Sequence, residues 1–290
     1  MADPKAALGP VIKGRKAAIL FGLLGGAALV IFTSWILLFF SQFLYVNPER
    51  HQVPEAPAHI AQTFNRTKLG LLIETRPMTS LVPILLHYMA TTPADWPFHV
   101  FYSDKNAHLL STRTLQPYIQ SGRLSTTLLG PDVAYNSSRT VSEFLTSRWI
   151  WDQIEVEHLL FFQLDAMLCS NSDQSINDFI HYDWIGAPWP HLRDLRGGNG
   201  GFSMRRKSRM LRCIDKLTWS KQEALNEDVW FSRCLATFSD AVLPTYEESM
   251  GWAIEAQESK RYMGIHKPWG SLKVATNYEF CPEAAMLFLP

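Results

Sequence analysis

Short stretches spread along this sequence carry residues able to do chemistry together. The run 158–168, His158-Leu159-Leu160-Phe161-Phe162-Gln163-Leu164-Asp165-Ala166-Met167-Leu168, is an apolar strand with one carboxylate near its exit. Burying a carboxylate is costly unless something pairs with it, and open α/β sheets gather ligands at the carboxyl ends of their strands. Asp165 is therefore a candidate ligand for a divalent metal carrying a phosphorylated donor; the plainer reading is a carboxylate capping a turn. Gly197-Gly198-Asn199-Gly200-Gly201 has neither GxGxxG spacing nor the Gly-Lys-Ser/Thr of a phosphate-binding loop. Its glycines either let backbone approach a ligand closely or make a flexible surface turn. Glu227 and Asp228 are adjacent acids, either of which could serve as a general base. With Asn226 as N-cap they would also suit the first turn of a helix. His266 could complete a metal shell and Lys267 could meet a diphosphate, against the plainer readings of a structural histidine and a solvated lysine.

The elements that must position these residues alternate. Segments 68–74, 98–102 and 124–129 read as strands, short and apolar with polar ends, as in a parallel sheet. Leu81, Ile84, Leu85 and Tyr88 recur at helical spacing, with Thr79 or Ser80 as N-cap. A helix is expected over 142–154, before the strand 158–168. Beyond the Phe202-Ser203-Met204-Arg205-Arg206 run comes a basic amphipathic helix with Met210, Leu211, Ile214 and Leu217 inward. Another helix opens at 226–228 with Trp230, Cys234 and Phe238 inward, and Val242-Leu243 is a short strand candidate. Strand–helix alternation at this spacing predicts βαβ units, an α/β class and a mostly parallel sheet. Trp269 is core or a sugar platform, and the segment after it matches no element.

The 290 residues carry a formal net charge of zero, which gives no footprint of a nucleic-acid binder. The 10 Trp and 17 Phe suit a large core. Cys169, Cys213, Cys234 and Cys281 form no CxxC pair, which argues against a zinc site. An oxidising compartment would allow two disulfides in any of three connectivities; buried free thiols are the alternative. Segment 17–46 is apolar and uncharged, long enough to span a bilayer. Lys5, Lys13, Arg15 and Lys16 precede it, so the positive-inside rule keeps the N-terminus cytosolic. The expected organisation is a cytosolic tail (1–16), a signal anchor (17–46), a proline-bearing stem (47–66) and one lumenal domain (67–290). The sequons Asn65-Arg66-Thr67 and Asn136-Ser137-Ser138 agree with a lumenal domain.

In order, an acid-ended strand, a Gly-Gly-Phe-Ser-Met-Arg run, Glu227-Asp228 and a terminal His-Lys-Pro-Trp resemble Golgi glycosyltransferases of the GT-A fold. Closer still are the runs Ile73-Glu74-Thr75-Arg76-Pro77, Phe162-Gln163-Leu164-Asp165, Ile185-Gly186-Ala187-Pro188, Asn199-Gly200-Gly201-Phe202-Ser203 and Glu227-Asp228-Val229-Trp230-Phe231. These look like a fungal family catalogued as domain of unknown function 5672, over most of 67–266. The resemblance implies a type II membrane protein of the Golgi or ER, with a GT-A-like, Rossmann-like lumenal domain. It implies transfer of a sugar from a nucleotide-sugar donor to a hydroxyl on a glycan, glycoprotein or glycolipid, assisted by Mn²⁺ or Mg²⁺. Asp165 would match the last acid of the Asp-x-Asp motif that coordinates the metal, and His266 the C-terminal metal ligand. Glu74 and Arg76 would lie near the nucleotide, and Asn199, Gly200 and Gly201 would face donor sugar or acceptor. Asp228, or Glu227, would be the base of an inverting displacement. Gln163 stands where the motif has its first acid, usually near the ribose. That departure favours the alternative, an inactive glycan-binding or scaffolding relative; a metal-dependent hydrolase is a further rival.

Overall fold

The computed structural model describes residues 64–220, 222, 225–255, 257–268 and 279–288. The chain divides into Met1–Ile60 and Ala61–Pro290. The predicted tail and anchor, most of the stem and Trp269 lie outside the described residues. Among those described, no helix is long and apolar enough to cross a membrane.

From its N-terminal end the second unit runs β1 (Lys68–Glu74), α1 (Leu81–Thr91), β2 (Phe98–Tyr102), α2 (Ala107–Leu110), α3 (Gln116–Gln120), β3 (Leu124–Leu128), α4 (Ser138–Leu145), α5 (Arg148–Asp152), β4 (His158–Phe162) and β5 (Ala166–Leu168). It continues with β6 (Trp184–Gly186), β7 (Phe202–Arg206), α6 (Lys207–Lys216), α7 (Glu227–Leu235), α8 (Tyr246–Trp252), β8 (Ala253–Ile254) and β9 (Gly264–His266). The larger sheet has the order β3-β2-β1-β4-β7-β6. Its β3–β2, β2–β1 and β1–β4 pairings are parallel, and β7 runs antiparallel to both neighbours. The predicted α/β class and mostly parallel sheet are therefore observed. Successive side chains of a strand face opposite ways, and both faces here are apolar. Leu72, Val100, Leu160 and Phe162 pack on one side with α1 residues Leu81, Ile84, Leu85 and Tyr88. Leu71, Ile73, Phe101, Leu159 and Phe161 pack on the other with Leu145, Trp151 and Phe231. Helices on both faces explain why β1 and β4 read as continuous apolar runs.

Several expectations need correction. The run 158–168 is two strands in two sheets. After Phe162 the Gln163 N–H donates to the Gly201 carbonyl (2.8 Å), and the chain turns with Ala166 N–H on the Gln163 carbonyl (3.1 Å). β5 then pairs antiparallel with β9 in a three-stranded sheet β5-β9-β8. Asp165 thus sits in the turn between sheets. The helix expected over 142–154 is α4 plus α5, because Ser137 forms a capping box with Thr140 and starts the helix earlier. Residues 242–243 form no strand; the Val242 N–H is taken by the Asp183 carboxylate (2.9 Å). Ser80 precedes α1 in helical geometry without a side-chain cap bond. On α6, Met210 and Cys213 are buried and Leu211 and Ile214 are partly buried against the core, while Leu217, just past its end, is exposed. Cys213 bonds Cys234, joining α6 to α7, and Cys169 bonds Cys281, just before a 3₁₀ helix at Pro282–Phe288.

Candidate functional site

A polar cavity of about 290 Å³ opens where β1 and β4 end. Its lining includes Glu74, Arg76, Gln163, Asp165, Asn199, Gly201, Glu227, Asp228 and Lys267. Residues far apart in sequence reach it by separate routes. Glu74 ends β1, and the Arg76 guanidinium grips its carboxylate (2.9 and 2.7 Å). Gln163 and Asp165 occupy the turn after β4. Register does the rest: Ala166 lies opposite His266 across β5 and β9, and the Lys267 N–H donates to the Asp165 carbonyl (2.9 Å). Lys267 itself adopts φ 46°, a backbone region uncommon outside glycine and worth noticing at a site.

The glycine run is neither exposed nor loose. Gly197, Gly198, Gly200 and Gly201 are buried. Gly197 and Gly198 take φ of 117° and 101°, conformations that disfavour any side chain. Their carbonyls are fixed by the Gly186 N–H (2.6 Å) and the Trp184 indole N–H (2.9 Å). Gly200 lies beneath the cavity wall rather than on it. Its N–H donates to Asp228 Oδ2 (3.0 Å), while its carbonyl accepts from Arg205 Nη2 (2.8 Å) and Ser203 Oγ (2.9 Å). A Cβ on Gly201 would strike His266 Nε2 and lie 2.7 Å from Gln163 Oε1. Gly201→Ala is therefore expected to cost about 1–3 kcal/mol, as overpacking does, read as a lower denaturant midpoint.

The acid pair starts α7. Asn226 occupies the N-cap position without a side-chain cap bond; Ser142 Oγ instead accepts the Glu227 N–H (3.0 Å). The Asp228 oxygens accept from Gly200 N–H and from its neighbour Val229 N–H (2.7 Å). Glu227 Oε1 faces Arg205 Nη2 at 3.4 Å. Arg205 is fully buried, with its guanidinium 4.2 Å from the Phe161 and Trp184 ring centres. Burial and then the Asp228 charge push Glu227 up to about 7, with Arg205 pulling the other way. Burial also raises Asp228, against the amides of Gly200 and Val229. The sign of the consequence for Glu227 is definite. Between the ordinary 4.5 and about 7 the unfolded chain has lost this proton and the folded chain still holds it. Stability from this group is full below that window and is lost as pH rises through it. Urea midpoints should fall between pH 5 and 8, and Glu227→Gln should flatten that fall; an unchanged slope would refute the assignment.

His266 is fully buried behind Asp165 and Gly201, not on the cavity wall. Its Nε2 lies 3.4 Å from Asp165 Oδ1, and its Nδ1 lies 3.6 Å from Glu255 Oε1. None of Asp165 Oδ1, His266 Nδ1 and His266 Nε2 has a hydrogen-bond partner among the described residues. Burial opposes ionisation of Asp165, but His266 and then Lys267 hold its carboxyl below the usual range. Burial likewise opposes the imidazolium of His266, and Asp165 and Glu255 outweigh it. Two ligand atoms of one Mg²⁺-sized cation, each at about 2.1 Å, lie about 3 Å apart. A ligating histidine commonly turns its other nitrogen to a carboxylate. The unpartnered oxygen and nitrogen, with Glu255 behind them, thus fit a divalent cation. Among the described residues no group of three or more His, Cys, Asp and Glu forms a complete cage, so the remaining positions would fall to the substrate.

The sequence reading named Glu74, Arg76, Gln163, Asp165, Asn199, Gly201, Glu227, Asp228 and Lys267, which line this cavity, and Gly200 and His266, which do not. It missed Tyr135, Arg205 and Glu255. The hint for Arg205 was a charged residue inside a short strand-like run; Tyr135 and Glu255 had no local signal.

The family model for proteins of unknown function, DUF5672, matches residues 124–270. This chain belongs to the DUF5672 family. The match takes in β4, the glycine run, the acid pair and His266-Lys267, so most of the cavity wall is family sequence. No curated protein matches the chain by sequence. Among solved structures, the glycosyltransferase GlyE of Streptococcus pneumoniae TIGR4 is similar at TM-score 0.47 and 11% identity, over 77% of this chain and 62% of that one. S. aureus TarS 1-349 in complex with UDP-GlcNAc is similar at TM-score 0.42 and 13% identity, over 76% and 66%. This DUF5672 chain therefore spans about two thirds or less of each neighbour's length.

Proposed function

We propose that this protein is a glycosyltransferase that moves a sugar from a nucleotide-sugar donor to a hydroxyl acceptor. One observation carries the reading. A single cavity joins a buried acid pair, anchored to a rigid glycine run, with Asp165, behind which His266 is buried at 3.4 Å. Asp228 is the base: it takes the acceptor proton as that oxygen attacks the anomeric carbon and the bond to the diphosphate breaks. Glu227 is the less suitable base because Arg205 holds it. Asp165 and His266 would hold Mn²⁺ or Mg²⁺, whose chemistry is to neutralise the diphosphate as it leaves. Charge supports that need. The wall carries the carboxylates Glu74, Asp165, Glu227 and Asp228; Arg76 is committed to Glu74 and Arg205 faces Glu227, which leaves Asp165 and Asp228 against Lys267. A diphosphate would meet excess negative charge unless a cation came with it. Lys267 and Asn199 then orient the donor, and a base acting on the face opposite the leaving group would invert the anomeric centre.

A titration of the full chain with nucleoside diphosphates, with and without Mn²⁺, tests the site. Metal-dependent binding is expected; binding indifferent to metal would sink the assignment of Asp165 and His266. Gln163 on the wall favours a second reading, a relative that holds glycans or scaffolds partners without turnover, which binding without donor consumption would reveal. The anchor at 17–46 and a lumenal Golgi or ER placement belong to the same proposal. They predict a glycosidase-sensitive mobility shift through Asn65 or Asn136.

A further inference from the structure

We propose that the Tyr135 hydroxyl binds a hydroxyl of the transferred sugar and helps select which sugar the cavity accepts. The inference rests on the glycosyltransferase reading and deepens it. Tyr135 precedes α4 and lines the cavity, yet its side chain is only 6% exposed. Phe144 packs edge-on against its ring, at 5.6 Å between centres and 77° between planes, which fixes its direction. The buried hydroxyl makes no hydrogen bond of ordinary geometry among the described residues; the Gln163 side chain is its one polar neighbour near enough to act on it as a hydrogen-bond partner, and leaves it room for another. An unsatisfied buried hydroxyl is costly to keep. On a cavity wall, its natural partner is whatever enters the cavity.

The surroundings say which part of a donor that is. Tyr135 feels the charges of Glu227, Arg205 and Glu74. Glu227 belongs to the acid pair, where transfer occurs. Carboxylates on that side repel phosphate oxygens but tolerate a neutral polyol. Burial, and then the Glu227 charge, push the phenol well above its ordinary range, so it keeps its proton and can donate. A phenol also accepts, which matches a sugar hydroxyl that does both.

Tyr135→Phe removes the oxygen and little else. Calorimetric titration of the full chain with Mn²⁺ would compare UDP with UDP-glucose, UDP-galactose, UDP-N-acetylglucosamine and GDP-mannose. For the preferred nucleotide sugar, Tyr135→Phe should weaken binding by roughly 10–100-fold, since a site built around a hydroxyl suffers when one side of the bond is lost. Affinity for the nucleoside diphosphate alone should stay within about twofold, and the unfolding midpoint should hold or rise. Tyr88→Phe is the control: it removes another unpartnered hydroxyl, one in the core and off the cavity wall, and should leave the ratio of the two affinities unchanged. Equal losses for nucleotide sugar and free diphosphate, no loss for either, or a lowered unfolding midpoint would each overturn the role. If the wild-type chain binds none of the probes, the glycosyltransferase reading falls and this role with it. That outcome is distinct from a wild type that binds and a Tyr135→Phe variant that binds equally well.

Discussion

Asp228→Asn is expected to lower sugar transfer by about 10²–10⁴-fold, the usual worth of a positioned general base. Donor affinity should change far less. The carboxylate is held from both ends, by Gly200 N–H on Oδ2 and Val229 N–H on Oδ1. An asparagine can keep one of those bonds through its single oxygen, so the glycine run stays near its place while the proton acceptor is gone. Glu227→Gln should be the milder of the two. Glu227 faces the Arg205 guanidinium, and the glutamine oxygen can still accept from it. The effects then divide: Glu227→Gln shows mainly in the pH dependence of stability and Asp228→Asn mainly in turnover. Single-turnover rates together with donor titrations separate them. An Asp228→Asn chain that transfers within tenfold of wild type, beside a silent Glu227→Gln chain, would move the base to Glu227.

Removing the metal ligands should act on a different step. Asp165→Ala and His266→Ala are each expected to weaken Mn²⁺-dependent binding of a nucleoside diphosphate by at least about 10–100-fold, since even the groups behind metal ligands are worth that much. Neither should unfold the chain. The contacts at stake, His266 to Asp165 at 3.4 Å and to Glu255 at 3.6 Å, are too long for full hydrogen bonds and lie apart from the two apolar faces that hold the sheet. Stability retained while function is lost is what a site kept for its chemistry shows. Glu255→Gln should give a smaller loss of metal affinity, because Glu255 reaches His266 only at Nδ1. A fall in stability without change in metal affinity would make the Asp165–His266 contact structural.

Much of the architecture was legible. β1, β2 and β3 announce themselves as short apolar runs between polar ends, and the acid pair, glycine run and His266 were all visible as types. The larger failures share a cause: each depends on a partner distant in sequence. Nothing between Phe162 and Ala166 is a glycine or proline, so 158–168 looked like one strand. It is cut because Gln163 bonds to Gly201 and β5 answers to β9, about a hundred residues on. β9 has only three residues and is a strand only by virtue of its partners. The glycine run looked loose because glycine is permissive; the tightness comes from Gly186, Trp184 and Asp228. Arg205 could not be read as a buried counter-ion until α7 brought Glu227 to it. Tyr135 had no pattern at all, being one aromatic residue ahead of a capping serine.

The central claim is turnover of a nucleotide sugar. The direct measurement is to incubate the full chain with a panel of UDP- and GDP-sugars, with Mn²⁺ or with chelator, and to quantify released nucleoside diphosphate. Slow metal-dependent release from one donor, abolished in Asp165→Ala and strongly reduced in Asp228→Asn, is the expected result. Donor binding without release from any sugar, or release that persists in chelator and in Asp165→Ala, would contradict it.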